Sequence, residues 1–409
     1  MRSPHSVSSI PVSFPIGRMI IAAAASLLAL ASSEVVAQHT GLPGGPPVLK
    51  LPPSGAKIAM VTGTRQPVVE VSINGKGPFR FVLDTGAGQT MFDKKLSEEL
   101  QLPILGIVQA NDATSNAPKR LKLVKAELLT IGDVRISNVV GMEHDVLTIF
   151  GNEPDAPRGI LGINLFADCL LTIDYPGNTL TLAWGELPPA DGRDILKYET
   201  LRGLINVPVT LAGRESELTL DTGAALSIAL AEEMKDDVSF KTDPVATRVG
   251  RRAFTEMEIR EARIAGDLKV GRHVITNPVA HVAGIHSVMG YEILKNFALT
   301  IDQANQRVRM TRSGGEGPIK CRSVYFTGLS TLWKDDARQI TTVIAKSPAD
   351  RAGLRKGDRI ETINGKVCRD VPQVSWRTMT TEPGTIRLAG TRAAGGSFDC
   401  SIEVACAVP

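Results

Sequence analysis

The sequence predicts a mainly β protein: two lobes of similar plan, then a smaller, separate module at the C-terminus. Three observations carry this. Short apolar runs punctuated by frequent glycine (38) and proline (25) recur along the chain, as in proteins made of many short strands. Two sequence elements in the middle of the chain occur twice, in the same order. Residues 319–409 share no part of that repeat and hold four of the five cysteines.

Composition narrows the function classes. With 43% hydrophobic and 22% charged residues, a chain of 409 residues can bury real cores, which excludes wholesale disorder. Lys and Arg (46) nearly balance Asp and Glu (43), leaving +3, too little to attract nucleic acid or an anionic membrane. Only 4% of residues are aromatic, so stacking platforms for single strands are not expected.

The N-terminus reads as an address. Arg2 and Arg18 flank a polar start, and Met19 to Ala31 (MIIAAAASLLALA) carries no charge. Val35 and Ala37 supply the small residues of a cleavage site before Gln38. Together these make residues 1–37 a secretory signal peptide. The alternative, an uncleaved anchor, falls short of the ~20 apolar residues that span a bilayer. The expectation is an exported chain, periplasmic or secreted. In such an oxidising setting Cys321, Cys368, Cys400 and Cys406 can form two disulfides, with connectivity open; Cys321–Cys406 would close a loop over the whole module. Cys169, in DCLLTID, reads as a small buried hydrophobe.

Residues 38–55 form a Pro/Gly-rich linker, followed by the first lobe over 56–190 and the second over 191–313. FVLDTGAGQT at 81–90 returns as LTLDTGAALS at 218–227, and GILGINLFADCLLTID at 159–174 returns as SVMGYEILKNFALTID at 287–302. Each copy opens with an alternating strand, Val68 to Ile73 and Leu204 to Leu211, and closes with another, Leu180 to Trp184 and Arg307 to Thr311. The runs before Asp84 and Asp221 are short and β-prone, and Asp-Thr-Gly then turns, its glycine admitting close approach. A single such tripeptide reads as an ordinary Asx turn. Two copies, each followed by alanine and later by an apolar-apolar-glycine element (Ile160-Leu161-Gly162, Val288-Met289-Gly290), point to a duplicated site. Those elements are expected to pack beneath the aspartate turns and precede helix-like segments.

On these motifs, residues from about 60 to 312 resemble the retropepsin-like aspartic proteases, with DTGA in each half. The resemblance implies a two-lobed pepsin/retropepsin-like fold, an intramolecular pseudo-dimer in one chain. It implies catalytic roles for Asp84 and Asp221, with Thr85, Gly86, Thr222 and Gly223 supporting the two turns. Flap hairpins are expected at 106–119 and 249–254. Two carboxylates brought face to face cannot both ionise, so they share a proton and titrate as a pair. The ionised one deprotonates a water that attacks the peptide carbonyl, and the protonated one hydrogen-bonds the carbonyl oxygen. No metal and no cofactor is called for, and one chain supplies both aspartates, so a monomer suffices for catalysis.

The segment 314–318 (GGEGP) is a second linker. Beyond it, Ser347 to Gly365 (SPADRAGLRKGDRIETING) predicts a short helix from Pro348 ended by Gly353, a strand from Arg359 to Ile363 and an Asn-Gly turn. This run is similar to PDZ domains of exported bacterial proteases, over residues 319–409. The resemblance implies binding of an extended peptide, often a C-terminus, by strand addition. Phe326, Thr327, Gly328 and Leu329 then belong to the candidate carboxylate loop.

Other chemistries fit less well. Ser313-Gly314-Gly315 looks superficially like a serine-protease nucleophile, yet no two-barrel fold fits between it and His281 or Asp302. The six histidines show no metal-binding spacing, and His144 and His273 read as surface residues. The main alternative is non-catalytic: a peptide-binding protein with a pseudoprotease core and the C-terminal module as anchor.

Overall fold

The computed structural model describes residues 44–110, 119–201, 203–251, 256–282, 286–315 and 317–409. The signal peptide read over 1–37, the first part of the 38–55 linker and the tips of both expected flaps (111–118 and 252–255) lie outside the described residues. Among the described residues, no helix is long and apolar enough to cross a membrane.

Each repeat starts with an antiparallel pair: Val68–Ile73 with Lys76–Asp84, and Leu204–Leu211 with Arg214–Leu220. The second strand of each pair ends at the aspartate or just before it and lies parallel to the apolar-apolar-glycine strand. Leu83 pairs with Leu161 in the first copy and Leu220 with Met289 in the second. The helical segments that follow are single turns, Ile163–Phe166 and Tyr291–Leu294. The described ends of both flap stretches lie on antiparallel strand pairs, Ile104–Ala110 with Lys119–Ile131 and Val245–Arg251 with Glu256–Arg263.

The repeats meet in a six-stranded sheet whose order is Ile195–Lys197, Arg307–Thr311, Ala298–Asp302, Leu170–Asp174, Thr179–Ala183, Ala56–Ala59. Its central antiparallel pair joins the LLTID and ALTID segments in a register that sets Thr172 opposite Thr300. Their hydroxyls hydrogen-bond at 2.9 Å across 128 residues of sequence. Alternation along these strands sends Leu171, Ile173, Leu299 and Ile301 into a core that also holds Leu83, Leu161, Leu220 and Met289. One core therefore runs beneath both aspartate turns.

The C-terminal module has its own core, including Ile340, Leu354, Ile360, Trp376, Leu388 and Phe398. Ser347 caps the helix Pro348–Arg351 by accepting from the Asp350 N–H, with Pro348 in the first turn, where a missing N–H costs nothing. Its main sheet runs Leu329–Lys334, Ala337–Val343, Arg359–Ile363, Thr385–Thr391, Ser397–Glu403, which leaves Leu329–Lys334 as an edge. Ile319–Lys320, just after the glycine-rich segment, pairs with His273–Thr276 and so extends the second repeat's sheet.

A buried arginine clasps this module to the first repeat. Arg338, 1% exposed, donates to Glu153 at 3.0 Å and to Gln373 at 2.6 Å. Its guanidinium also lies over the rings of Trp333 and Trp376.

Two sequence expectations are corrected. All five cysteines are free thiols. Cys368 is enclosed in the C-terminal core, whereas Cys321 packs beside Ser227 of the second repeat and Cys406 is exposed, so closeness in sequence did not bring them together. His273 is buried, not superficial: its ring packs edge-on against Phe297 and its Nε2 meets the Met310 carbonyl. Burial accordingly lowers its pKa. His144 is half-buried. Cys169 is buried as expected, and burial, with the Asp168 charge, pushes its thiol up to about 12.

Removing one partner of a buried ion pair leaves the other charge uncompensated. Glu153→Ala should therefore destabilise the protein by about 3 kcal/mol, read as a lower urea midpoint. Replacing both groups by apolar ones (Glu153→Leu with Arg338→Met) should cost less than the single change.

Candidate active site

The two Asp-Thr-Gly turns are built alike. Backbone bonds from Ala87 N–H to the Asp84 carbonyl and from Ala224 N–H to the Asp221 carbonyl close them. The next segment of each copy then ties back: Ile163 N–H to the Ala87 carbonyl (3.0 Å), and Tyr291 N–H to the Ala224 carbonyl (2.9 Å). Each turn is thus held by its own strand and by the helical segment after the glycine.

The turns are locked to one another by their threonines, both wholly buried. Thr85 Oγ1 donates to the Leu220 carbonyl (2.6 Å) and accepts from Thr222 N–H (3.1 Å). Thr222 Oγ1 donates to the Leu83 carbonyl (2.8 Å) and accepts from Thr85 N–H (3.0 Å). These four reciprocal bonds join residues 135 to 139 apart in sequence.

The lock sets the carboxyl of each aspartate against the glycine of the opposite turn. Asp84 Oδ1 also accepts from Gly86 N–H (2.8 Å) and, across the seam, Gly223 N–H (3.2 Å). Asp221 Oδ1 accepts from Ala224 N–H (2.9 Å). The glycines are required by close approach: a Cβ on Gly86 would stand 2.6 Å from Asp221 Cγ, and one on Gly223 2.5 Å from Asp84 Cγ. As whole residues Asp84 and Asp221 are half-buried. Burial, reinforced by the Asp221 charge, raises the Asp84 pKa well above its ordinary 3.8, against the two glycine N–H bonds that favour its ionised form.

Residues 69–165 match the aspartyl protease family. Residues 339–387 match the PDZ domain. No curated protein matches the chain. The aspartyl protease domain contains the Asp84 turn and its Gly159–Gly162 support, while Asp221 lies outside the matched span. Among the described residues, no group of three or more His, Cys, Asp or Glu is placed to hold a metal.

In the PDZ region the proposed carboxylate loop is a two-residue link, Thr327-Gly328, between two strands. Phe326 ends a strand paired with Ala405–Val408, and Thr327 is buried, its Oγ1 accepting from Leu329 N–H. Gly328 has φ 80° and packs against Ser347. The loop's carbonyls accept from Ala349 and Ile344, which fixes it to the helix Pro348–Arg351. Leu329 then begins the free sheet edge.

Sequence reasoning missed several neighbours of the site. Gln66 Nε2 donates to the Gly223 carbonyl (3.3 Å). Tyr175 packs edge-on against Tyr291, and its buried hydroxyl has no hydrogen-bond partner. Burial raises its pKa, and the charges of Tyr291, Asp221 and Asp84 add to the rise. A signal was available: the two tyrosines stand where the repeat copies differ, Tyr291 opposite Ile163 and Tyr175 opposite Gln303.

Thr85→Val keeps the shape but leaves the Leu220 carbonyl and Thr222 N–H buried and unpaired, at about 1–3 kcal/mol for each group. A chemical-denaturation series should show that loss for Thr85→Val and near-parental stability for Thr85→Ser.

Proposed function

We propose that the chain is an aspartic endopeptidase whose two repeats form an intramolecular pseudo-dimer, with Asp84 and Asp221 as the catalytic pair. The observation that carries this reading is that the two carboxyls face each other across the seam, each against the glycine of the opposite turn, under the reciprocal threonine bonds. The Thr172–Thr300 register at the base of the shared sheet supports the same twofold relation between the copies.

In this mechanism one proton is shared by the pair. The ionised carboxyl takes a proton from a water between the two, the water attacks the scissile carbonyl, and the protonated carboxyl hydrogen-bonds the carbonyl oxygen. Collapse of the tetrahedral intermediate returns a proton to the leaving amine. Thr85 and Thr222 act as positioning residues, and the strand pairs Ile104–Ala110 with Lys119–Ile131 and Val245–Arg251 with Glu256–Arg263 would serve as flaps. The PDZ domain offers the free edge Leu329–Lys334 for addition of a peptide strand, which would recruit substrate or regulate the protease. The leader over 1–37 would deliver the enzyme outside the cytoplasm, where protein substrates of the envelope or medium are available.

Asp84→Asn or Asp221→Asn should abolish cleavage of a peptide library scored by mass spectrometry, while far-UV circular dichroism stays unchanged. Full turnover in either variant would refute the mechanism. Activity should fall as rising pH removes the shared proton.

Stability carries a second signature. Below pH 3.8 Asp84 is protonated both folded and unfolded. Between 3.8 and its raised folded value, the unfolded chain gives up that proton first, so folding loses stability as pH rises. Asp84→Asn removes this loss, so its melting temperature should exceed the parent's at neutral pH and converge with it in acid.

A further inference from the structure

Arg65 and Arg377 are two half-buried cations. Arg65 Nη2 donates to Thr381 Oγ1 at 3.2 Å, and Thr381 Oγ1 donates to the Arg377 carbonyl at 2.8 Å. Arg65 therefore lies against the last turn of the PDZ-region helix Gln373–Thr381, which carries Arg377. Among the described residues neither arginine forms an ion pair, and the surrounding carboxylates are engaged elsewhere. Glu153 is held by Arg338 (3.0 Å), Asp155 by Arg80 (2.9 Å), Glu292 by Lys295 and Glu382 by Arg322 (3.5 Å). Burial lowers the Arg377 pKa, and the adjacent Arg65 charge lowers it further.

Arg65 is tied to the second aspartate turn through its chain neighbour. Arg65 precedes Gln66, whose amide is bonded to the Gly223 carbonyl of the second aspartate turn. Arg65 and Arg377 both act on the phenol of Tyr291, which packs on Tyr175, and Tyr175 senses both aspartates. Two guanidinium groups present planar donors that match a carboxylate, and an anion between them would relieve their mutual repulsion.

We propose that Arg65 and Arg377 form a subsite for a carboxylate of the bound peptide, at the seam between the aspartyl protease domain and the PDZ-region helix. Its assignment to a substrate rests on the proteolytic reading above. The carboxylate is either the peptide's C-terminus or an Asp or Glu side chain. Such a subsite makes the protease selective for peptides with an anionic group at one fixed distance from the cleaved bond, and it places one selectivity residue on each side of the seam.

The test uses the full chain carrying Asp84→Asn, so that binding is read without turnover. Fluorescent peptide twins differ by one charge: a free against an amidated C-terminus in one series, internal Glu against Gln in another. Anisotropy titrations should show the charged twin of one series binding about 10-fold more tightly, the series identifying the source of the carboxylate. That preference should weaken with salt, vanish on Arg65→Gln or Arg377→Gln, and persist in Arg377→Lys. Equal binding of the twins in both series, absence of binding included, overturns the proposal even if a glutamine variant fails to fold. So does a preference that survives both glutamine changes. Charge preference without cleavage by the parent enzyme would instead refute the proteolytic reading alone, and cleavage without charge preference the subsite alone.

Discussion

The reciprocal threonine bonds between the two aspartate turns are the constraint on which the rest depends. Carboxyl groups in contact resist being brought together, because burial and like charge both disfavour their ionised forms. Something must hold the turns against that resistance. Thr85 and Thr222 do so from wholly buried positions, where an unmade hydrogen bond is costly and a made one is correspondingly restrictive. Gly86 and Gly223 then let each turn reach the opposite carboxyl, and the shared six-stranded sheet fixes the angle between the copies at its Thr172–Thr300 centre.

The repeats are alike in backbone and unlike in surroundings. Asp84 Oδ1 accepts N–H bonds from both sides of the seam, and Asp221 Oδ1 accepts one from its own turn. Behind the turns, Gln303 donates to the Ile163 carbonyl in one copy, and in the equivalent place of the other Tyr175 meets Tyr291 ring to ring.

The PDZ region is independent in its core and bound at its edge. Its own hydrophobic cluster supports its sheet, so its attachment is left to a few strong contacts. Arg338 is the chief of these, enclosed by two tryptophans and paired with Glu153 from the loop that leads into Gly159–Gly162. A contact to the Val245–Arg251 strand adds to it: Val249 N–H donates to Ser330 Oγ on the edge strand Leu329–Lys334. A peptide added to that edge would lie beside the second expected flap.

Much of the fold and the heart of the site were legible in the sequence. The duplicated Asp-Thr-Gly turns, the apolar-glycine strands beside them and the LLTID and ALTID pair are local patterns. Strand alternation, turn sterics and backbone bonding over a few residues dictate them, and repetition made them stand out. Arg338 with Glu153, Arg65 beside Arg377, Tyr175 against Tyr291, the burial of His273 and the separation of Cys321 from Cys368 were not legible. Each depends on which surfaces of separately built units come to face each other. That outcome is decided by the packing of whole sheets, and the spacing of single residues along the chain carries no record of it.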